Sequence, residues 1–370
     1  MTWPMVKLKN CCTIVGGATP RRDEKSFWDS PDIPWVTPKD ISNLKNKVIH
    51  DAPEYISQLG FDKSATFMLP EGSVLLTSRA PIGNLAVTGK PMCTNQGFKS
   101  LVPNPDVDCT YLYYCMLANI EKLQALGNGA TFKEVSKKVV EDFEIPLPPL
   151  DEQKRIAAIL DKADAIRQKR QQAIALADDF LRSVFLDMFG DPVTNPKGCK
   201  LLPMTEVFHI KTGKLNSNAE VKSGVYPFFT CAKEVYRIDH YAFDQEALLL
   251  AGNNAQADYD VKHYIGKFNA YQRTYVLSLK NENWSYPFFK FALEFQLSNL
   301  KNSSKGSNTK YITMEIMSRT MLPSPSPSEQ SEFATYFKQQ MDMRNILDKS
   351  QQESNALFNS LSQKAFSGQL

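Results

Sequence analysis

Apolar residues in this chain follow their longest regular pattern between residues 147 and 192, in the middle of the sequence. Prolines at 146, 148 and 149 close the preceding segment, and Asp151 supplies a capping oxygen for a helix that ends before Gly190. Apolar positions recur in alternating steps of three and four, which predicts a helix packed along a partner helix. About 37 residues at about 1.5 Å each give a rod of roughly 55 Å. The predicted contact positions, with one polar interruption at Arg170, are Ile156, Ile159, Ala163, Ile166, Ala173, Ala177, Phe180 and Val184.

A repeat within the chain supplies the partner helix. Segments 127–157 and 304–334 align without a gap under one constant shift, which places Gly129 on Gly306 and Pro146 on Pro323. The alternative is that the central helix belongs to the core of one domain. Under the repeat, the contact positions expected in the second helix are Phe333, Tyr336, Gln340, Met343, Leu347, Ser350, Ser354, Leu357 and Leu361.

The repeat predicts an α+β chain in four parts. Two mixed α/β domains, at 1–148 and 191–327, are separated by long helices at 149–190 and 328–370. One helix leaves the first domain and the other starts at the second, so the pair is expected to form an antiparallel coiled coil with an approximate two-fold axis. Two similar domains held apart suit a ligand with two separated recognition points, and duplex DNA read at two half-sites is the common case.

Short β-rich runs bounded by glycine and proline occur in both predicted domains. They are GSVLLTSR and GNLAVTG in the first domain, and EALLLAG and TYVLSL in the second. Such runs predict strands joined by long polar loops, so loop residues are expected to contact the ligand. Trp28, Trp35 and the Pro-Phe-Phe triplets at 227–229 and 287–289 are better explained as core residues than as platforms for stacking bases.

Composition narrows the class of protein. The 370 residues are 42% hydrophobic, which is enough for two cores. The sequence contains no run of 18 apolar residues of the kind that spans a membrane, so a cytoplasmic location is expected. Seven cysteines without a CxxC spacing and four isolated histidines predict neither a disulfide framework nor a metal site. Residues 1–150 carry 16 basic and 16 acidic side chains, and residues 191–327 carry 16 and 12. This weak charge neither supports nor excludes nucleic acid as a ligand.

Candidate DNA contacts are loop residues whose side chains can bond to base edges or phosphates. Arginine, asparagine and glutamine form paired hydrogen bonds with base edges, and lysine pairs with phosphate. Each candidate is equally well explained as a turn or loop cap, and Gln96 and Gln272, at corresponding places before Leu101 and Leu277, also fit a structural framework. The candidates are Arg21, Arg22, Arg79, Asn95, Gln96 and Lys99 in the first domain, and Asn253, Asn254, Gln256, Gln272 and Arg273 in the second.

Motifs in both halves carry a resemblance to a known family. They are GGATPRRDEKSFWDSPDIPWVTPKDI (16–41), GSVLLTSRAPIGNLAVTGKPMCTNQGFKSLVP (72–103), PLPPLDEQKRIA, SGVYPFFTCAKEVYRIDHYAFDQEALLLAG (223–252), GKFNAYQRTYVLSL (266–279) and KAFSGQL. Together with the repeat, they resemble the specificity (S) subunits of type I restriction-modification systems. The resemblance covers nearly the whole chain.

This resemblance implies a non-catalytic subunit with two target-recognition domains, each reading one half of a split double-stranded DNA sequence. The helices would set the gap between the half-sites and bind two methyltransferase subunits. Restriction nuclease subunits would complete a complex that also cuts DNA. S-adenosylmethionine, ATP and Mg²⁺ are then expected on the partner subunits, with no cofactor on this chain.

Missing motifs agree with a recognition subunit rather than an enzyme. Asp191-Pro192 and Asn195-Pro196 lack the second proline and the aromatic residue of a methylase catalytic loop, and no Gly-rich loop for a methyl donor follows a strand. Glu220-Val221-Lys222 lies too far from Pro105-Asp106 to form a nuclease motif. Two alternatives stay open: a protein-binding scaffold or adaptor with two modules on a coiled-coil spacer, and half of a split nuclease.

Overall fold

The computed structural model describes residues 3–44, 46–129, 133–253, 260–306 and 310–370, and the chain forms two compact units. Unit 1 comprises Met1–Arg170 together with Ser350–Leu370, and unit 2 comprises Gln171–Lys349. Each unit contains one mixed α/β domain, the start of the long helix that follows this domain, and the end of the other long helix.

The domain of unit 1 contains, in its described residues, short strands and helices besides a 3₁₀ turn at Lys25–Phe27. In chain order they are β1 (Met5–Lys7), α1 (Leu8–Cys11), β2 (Cys12–Gly16), β3 (Ile33–Val36), α2 (Pro38–Ser42), β4 (Val48–Ile49), β5 (Glu54–Ile56), α3 (Gln58–Asp62), β6 (Val74–Leu76), β7 (Leu85–Thr88), β8 (Cys93–Thr94), β9 (Lys99–Pro103), α4 (Cys109–Ala118), α5 (Ile120–Ala125), α6 (Lys137–Asp142) and β10 (Glu144–Pro146). The long helix α7 (Leu150–Phe189) follows.

Three sheets organise this domain. Five strands run in the order β2-β9-β6-β7-β4, three in the order β5-β3-β8, and β1 pairs with β10. Ile14 lies opposite Leu101 in the antiparallel β2-β9 pair, and Trp35 lies opposite Cys93 in the parallel β3-β8 pair. The predicted runs GSVLLTSR and GNLAVTG contain β6 and β7, whose apolar residues are largely buried in the core.

The domain of unit 2 contains longer strands, besides a 3₁₀ turn at Ser217–Ala219. In chain order its elements are β11 (Leu201–Pro203), α8 (Met204–Val207), β12 (Phe208–Thr212), β13 (Tyr226–Phe229), β14 (Tyr236–Ile238), β15 (Phe243–Ala251), β16 (Val261–Ala270), β17 (Thr274–Leu279), α9 (Tyr286–Ser303), α10 (Met314–Arg319) and β18 (Met321–Pro323). The long helix α11 (Pro327–Ser367) follows.

One sheet of six strands, in the order β12-β17-β15-β16-β13-β14, forms the framework of this domain, and β11 pairs with β18. The predicted runs EALLLAG and TYVLSL lie in β15 and β17, which pair antiparallel with Leu248 opposite Leu277. Both Pro-Phe-Phe triplets supply core residues, since Phe228, Phe229, Phe288 and Phe289 are buried. The core interpretation also holds for Trp35, which is buried, whereas Trp28 is only partly covered.

The two domains share the way in which one of their helices begins, α4 in unit 1 and α9 in unit 2. Asp108 caps α4 by accepting from the Tyr111 amide (2.8 Å), and Ser285 caps α9 by accepting from the Phe288 amide (3.4 Å). A side-chain oxygen ahead of a helix satisfies an amide that has no partner within the helix. The corresponding parts of the two domains therefore include helices that start in the same way.

Both long helices contribute to both cores. In unit 1 the start of α7, including Ile156 and Leu160, joins one apolar cluster with Phe358 and Ala365 from the end of α11. In unit 2 the end of α7 and the start of α11 share the other large cluster. Within it, the Phe185 ring lies 5.2 Å from that of Phe333, edge to face. The core of unit 1 is thus completed by the end of α11, which is distant in sequence, whereas the core of unit 2 uses the helix segments that directly precede and follow its domain.

The buried face of the long helices corrects the predicted contact positions. Ile156 and Phe333 are buried, while Val184, Leu347, Leu361 and Ile159 are half-buried. Several predicted positions are displaced by one residue, because Leu160, Leu181 and Phe358 take the buried places instead. The predicted contact residues that are exposed are Ile166 (48%), Phe180 (51%), Tyr336 (38%), Met343 (50%) and Leu357 (56%).

The cause of this displacement lies in the sequence itself. Adjacent apolar residues, as at Ile159-Leu160 and Phe180-Leu181, fit two phases of the heptad equally well. The phase adopted here also half-buries Arg167, Arg344 and Gln351. These residues are polar, so the spacing of apolar residues does not identify them as contact positions. Arg344 forms an ion pair with Asp178 within unit 2. Among the described residues, no helix is long and apolar enough to cross a membrane.

Candidate nucleic-acid interface

In unit 1, three loops meet beside the ends of β2, β6 and β8. A side chain could not replace Gly17, because an added Cβ would lie 2.0 Å from the Asn95 carbonyl oxygen. The Asn95 side chain accepts from the Gly97 amide (2.8 Å), so it shapes the turn after β8. Gln96, which is exposed, hydrogen-bonds to the Thr19 hydroxyl and so ties this turn to the loop after β2.

Unit 2 has the same junction after β12 and β16. An added Cβ at Gly213 would lie 1.7 Å from the Ala270 carbonyl oxygen. The backbone amide of Gln272 donates to the Leu215 carbonyl (2.9 Å), and its side chain donates to Asn216 Oδ1 (2.9 Å). Gln96 and Gln272 therefore connect corresponding loops, as the framework interpretation predicts, while their exposed side chains stay within reach of a ligand.

Arg79 and Lys99 converge on one carboxylate in unit 1. Glu134 lies 3.8 Å from Arg79 Nη1 and 3.5 Å from Lys99 Nζ, and its backbone forms an isolated β-bridge with Arg79. The Ser78 hydroxyl approaches the same carboxylate at 3.4 Å and also lies 3.1 Å from the Gly97 carbonyl. Two candidate cations thus lie beside the turn that carries Gln96.

Tyr311 occupies the matching place in unit 2, since the sequence repeat aligns it with Glu134. Asn253 forms an isolated β-bridge with Tyr311, and the Arg273 guanidinium lies 4.7 Å from the centre of its ring, a cation–π contact. The Gly252 amide donates to the Arg273 carbonyl (2.7 Å), as the Ser78 amide does to Gly97 in unit 1. Asn254 and Gln256, the two other candidates here, lie outside the described residues.

Glu134 and Tyr311 are held by equivalent backbone hydrogen bonds. Asn128 and Glu134 exchange two bonds of 3.0 and 2.9 Å, and Lys305 and Tyr311 exchange two of 3.1 and 2.8 Å. Sequence reasoning missed both residues. The signal was present, because the repeat aligns position 134 with 311, but a glutamate and a tyrosine share no chemistry that would single the position out.

We call the resulting surface the loop edge of each unit. It comprises residues 17–19, 78–79, 95–99 and 134 in unit 1, and residues 213–216, 252–253, 270–273 and 311 in unit 2. The two loop edges share several of their backbone hydrogen bonds and differ in side chains: Arg79 corresponds to Asn253, and Gly97 to Arg273. Guanidinium, ammonium and amide groups dominate, and these bind base edges and phosphates without reacting with them.

Arg21 and Arg22, the predicted phosphate contacts, lie on the chain after the loop edge of unit 1 and are paired with acids. Asp23 bonds to Arg21 at 2.8 Å, and this exposed contact raises the pKa of the guanidinium. Arg22 bonds to Glu54 at 2.7 Å and stacks over the Trp28 ring at 3.8 Å. A phosphate would have to compete with these carboxylates, so both arginines are weaker candidates than their sequence position predicts.

The fold and the loop edges define a class: a protein with two similarly built α/β domains connected by long helices. The chain belongs to the family whose model is described as type I restriction modification DNA specificity domain, which matches residues 1–176 and 196–356. As a member of this family, it is the DNA sequence-recognition subunit of a type I restriction-modification system, a role that is not catalytic.

Individual relatives agree with this assignment. The type I restriction enzyme MjaIX specificity subunit of Methanocaldococcus jannaschii is 28% identical over 81% of this chain and 72% of its own length. The EcoDI specificity subunit of Escherichia coli is 39% identical over 38% of this chain and 30% of its own length. The fold is similar to the crystal structure of a type I S subunit from M. genitalium, with a TM-score of 0.62, 16% identity and coverage of 99% and 96% of the two chains.

Proposed function

We propose that each unit reads one half of a split double-stranded DNA sequence through its loop edge. The observation that carries this proposal is the pair Glu134 and Tyr311, in which equivalent backbone bonds present different side chains. A shared frame with different donors and acceptors is suited to reading two different base sequences. Family membership indicates that the ligand is DNA, and the two loop edges are the two places at which we propose that it is read.

We propose further that α7 and α11 act as an antiparallel coiled coil that sets the gap between the half-sites. In unit 1 the start of α7 packs with the end of α11, and in unit 2 the end of α7 packs with the start of α11. Both pairings have the sense that an antiparallel pair requires. The approximate two-fold axis predicted from the repeat would lie across these helices.

The exposed residues of the long helices suggest where partner subunits bind. Phe180, Tyr336 and Met343 in unit 2, and Ile166 and Leu357 in unit 1, are apolar residues outside the buried face. Contiguous exposed apolar patches mark protein-binding sites, and we infer that these residues contribute to such a patch in each unit. We propose that they contact two methyltransferase subunits and that nuclease subunits complete the complex, with S-adenosylmethionine, ATP and Mg²⁺ bound by these partners. Family membership, rather than the exposed apolar residues, argues against the scaffold and split-nuclease alternatives.

Methylome sequencing of the host, with and without this gene, tests the split target directly. The expected result is loss of methylation at one motif made of two half-sites with an unread gap. Replacement of residues 1–145 by the matching domain of a relative should then change one half-site and leave the other intact. The reciprocal exchange of the second domain is the matched control and should change the other half. A change in both half-sites from a single exchange would contradict the model of one half-site per unit.

A further inference from the structure

One buried glutamine follows each domain, in the first turn of the long helix. Gln153 in α7 is 1% exposed, and Gln330 in α11 is 0% exposed. The sequence repeat aligns the two, so they occupy the same place in each half of the chain. Glutamine is seldom buried this completely unless its amide is fully hydrogen-bonded.

Gln153 forms hydrogen bonds both to the segment that leads into α7 and to the domain of unit 1. Its side-chain nitrogen donates to the Pro148 carbonyl (2.9 Å), just before α7, and to the Asp106 carbonyl (3.1 Å). Its side-chain oxygen accepts from the Asp108 backbone amide (2.9 Å). Asp108 is the residue that caps α4, so the amide joins the start of the rod to the start of a domain helix.

Gln330 forms two of the three corresponding bonds in unit 2. Its nitrogen donates to the Pro325 carbonyl (2.9 Å), and its oxygen accepts from the Ser285 backbone amide (3.0 Å). The repeat aligns Pro325 with Pro148. Ser285, which caps α9, lies 45 residues before Gln330, just as Asp108 lies 45 residues before Gln153. The two glutamines therefore have matching partners on both sides.

These hydrogen bonds restrict the rotation of each domain about the start of its long helix, which apolar packing alone would leave less restricted. An apolar side chain of the same size could fill the space, but its contacts do not depend on direction, whereas a hydrogen bond weakens steeply away from a straight geometry. The long helix amplifies any change at its start. Over the 40 residues of α7, about 60 Å, a tilt of about 5° displaces the far end by about 5 Å, which exceeds the rise of about 3.4 Å per base pair.

We propose that Gln153 and Gln330 are positioning residues that fix the orientation of each recognition domain on its long helix and thereby restrict the gap at which both half-sites are read. This inference rests on the proposed function of the two units. It adds that the accuracy of the gap depends on two amides, neither of which contacts DNA. Loss of either amide should leave the half-site sequences unchanged and broaden the range of gaps accepted.

The test uses the full chain in complex with its methyltransferase subunits and a DNA library that carries both half-sites at every gap from zero to about fifteen base pairs. Gln153→Met and Gln330→Met keep the side-chain volume and remove the hydrogen bonds. The expected result is a fall of about tenfold in the ratio of methylation at the best gap to methylation one base pair away, the scale of one hydrogen bond. Exposed glutamines on the same helices provide the controls Gln172→Met and Gln339→Met, which should keep this ratio.

A purely stabilising role predicts a different outcome: methylation falls by the same factor at every gap and the preference is unchanged. That outcome would overturn the proposal. Should a methionine variant not fold, Gln153→Asn or Gln330→Asn retains the amide on a side chain one methylene too short to reach both partners, and the same broadening is expected. If the unaltered chain shows no gap preference, the proposed function itself fails; if the unaltered chain and the variants share one preference, the positioning role alone fails.

Discussion

A partly exposed carboxylate between two cations is the most informative feature of unit 1 at the scale of single residues. Glu134 approaches both Arg79 and Lys99, yet a negative side chain opposes the approach of a DNA backbone. The carboxylate can restrain the two cations before DNA arrives, and it can also accept a hydrogen bond from a cytosine amino group. In unit 2, Tyr311 carries no charge at this point, so the two half-sites should respond differently to substitutions here.

Arg79→Ala should weaken binding to the first half-site by about 1–3 kcal/mol and relax the sequence requirement there, because a donor to a base edge is lost. Glu134→Gln removes the repulsion of phosphate, so binding to non-cognate DNA should tighten. Methylation of libraries randomised in either half-site measures both effects, with the exposed Lys154→Ala in α7 as control. An altered preference in the second half-site after Arg79→Ala would contradict the assignment of this residue to unit 1's own half-site.

Sequence reasoning found the types of residue at the loop edges better than their arrangement. The sequence predicts donors at Arg79, Lys99, Asn253 and Arg273. In the structure the first two contact Glu134 and the last two contact Tyr311. That gathering depends on bridges between segments that are distant in the sequence, which no local pattern encodes. Whether these donors contact DNA stays a prediction.

At the scale of elements, the long helices combine a regular apolar face with a polar middle. Their existence, length and approximate ends follow from heptad spacing and prolines, which are local signals. The predicted cap at Asp151 is wrong, because α7 begins at Leu150 and the amides of Glu152 and Gln153 donate to the Pro149 carbonyl instead. Their phase does not, because Phe180-Leu181 offers two adjacent apolar residues and the choice between them depends on what the neighbouring helices present. Leu181 packs into the core of unit 2, whereas Phe180 is exposed.

Phe185→Ala and Phe180→Ala distinguish the buried face from the exposed one. Phe185 is buried among Phe288, Phe295 and Phe333, so its truncation should lower the free energy of unfolding by about 3–5 kcal/mol. Phe180→Ala should change it by no more than about 0.5 kcal/mol. Urea unfolding followed by circular dichroism measures both variants. Equal losses of unfolding free energy in the two variants would show that the predicted contact face, with Phe180, contributes as much to stability as the buried face, with Phe185.

At the scale of the whole molecule, the proposed coiled coil makes a prediction about distance. One heptad added to α7 after Ala173, and one at the facing point of α11, keeps the apolar faces aligned and separates the domains by about 10 Å. At about 3.4 Å per base pair, the unread gap should lengthen by about three base pairs, with both half-sites unchanged. The gap library measures this shift. Because the domains also rotate, weaker binding is expected even at the new gap.

A matched control for chain length is a seven-residue insertion in segment 281–283 of unit 2, which is exposed and lies outside the loop edge. It should leave the gap unchanged. Should the folded heptad variant still prefer the original gap, the helices join the domains or bind partners without setting distance. In that case the half-site exchange would still succeed, so the two parts of the proposed function can be judged separately.

The division of the chain into units also determines the order in which they can fold during synthesis. Unit 2 is one continuous stretch, Gln171–Lys349, whereas unit 1 requires Ser350–Leu370 to complete a core begun by Met1–Arg170. The Phe366 ring, for example, packs edge to face against Tyr111 at 5.6 Å. Domains usually fold as they emerge from the ribosome, the N-terminal one first. Because Ser350–Leu370 are made after unit 2, the part of the first core that they cover can close only at the end of translation, and we expect that apolar surface to be open to chaperones until then.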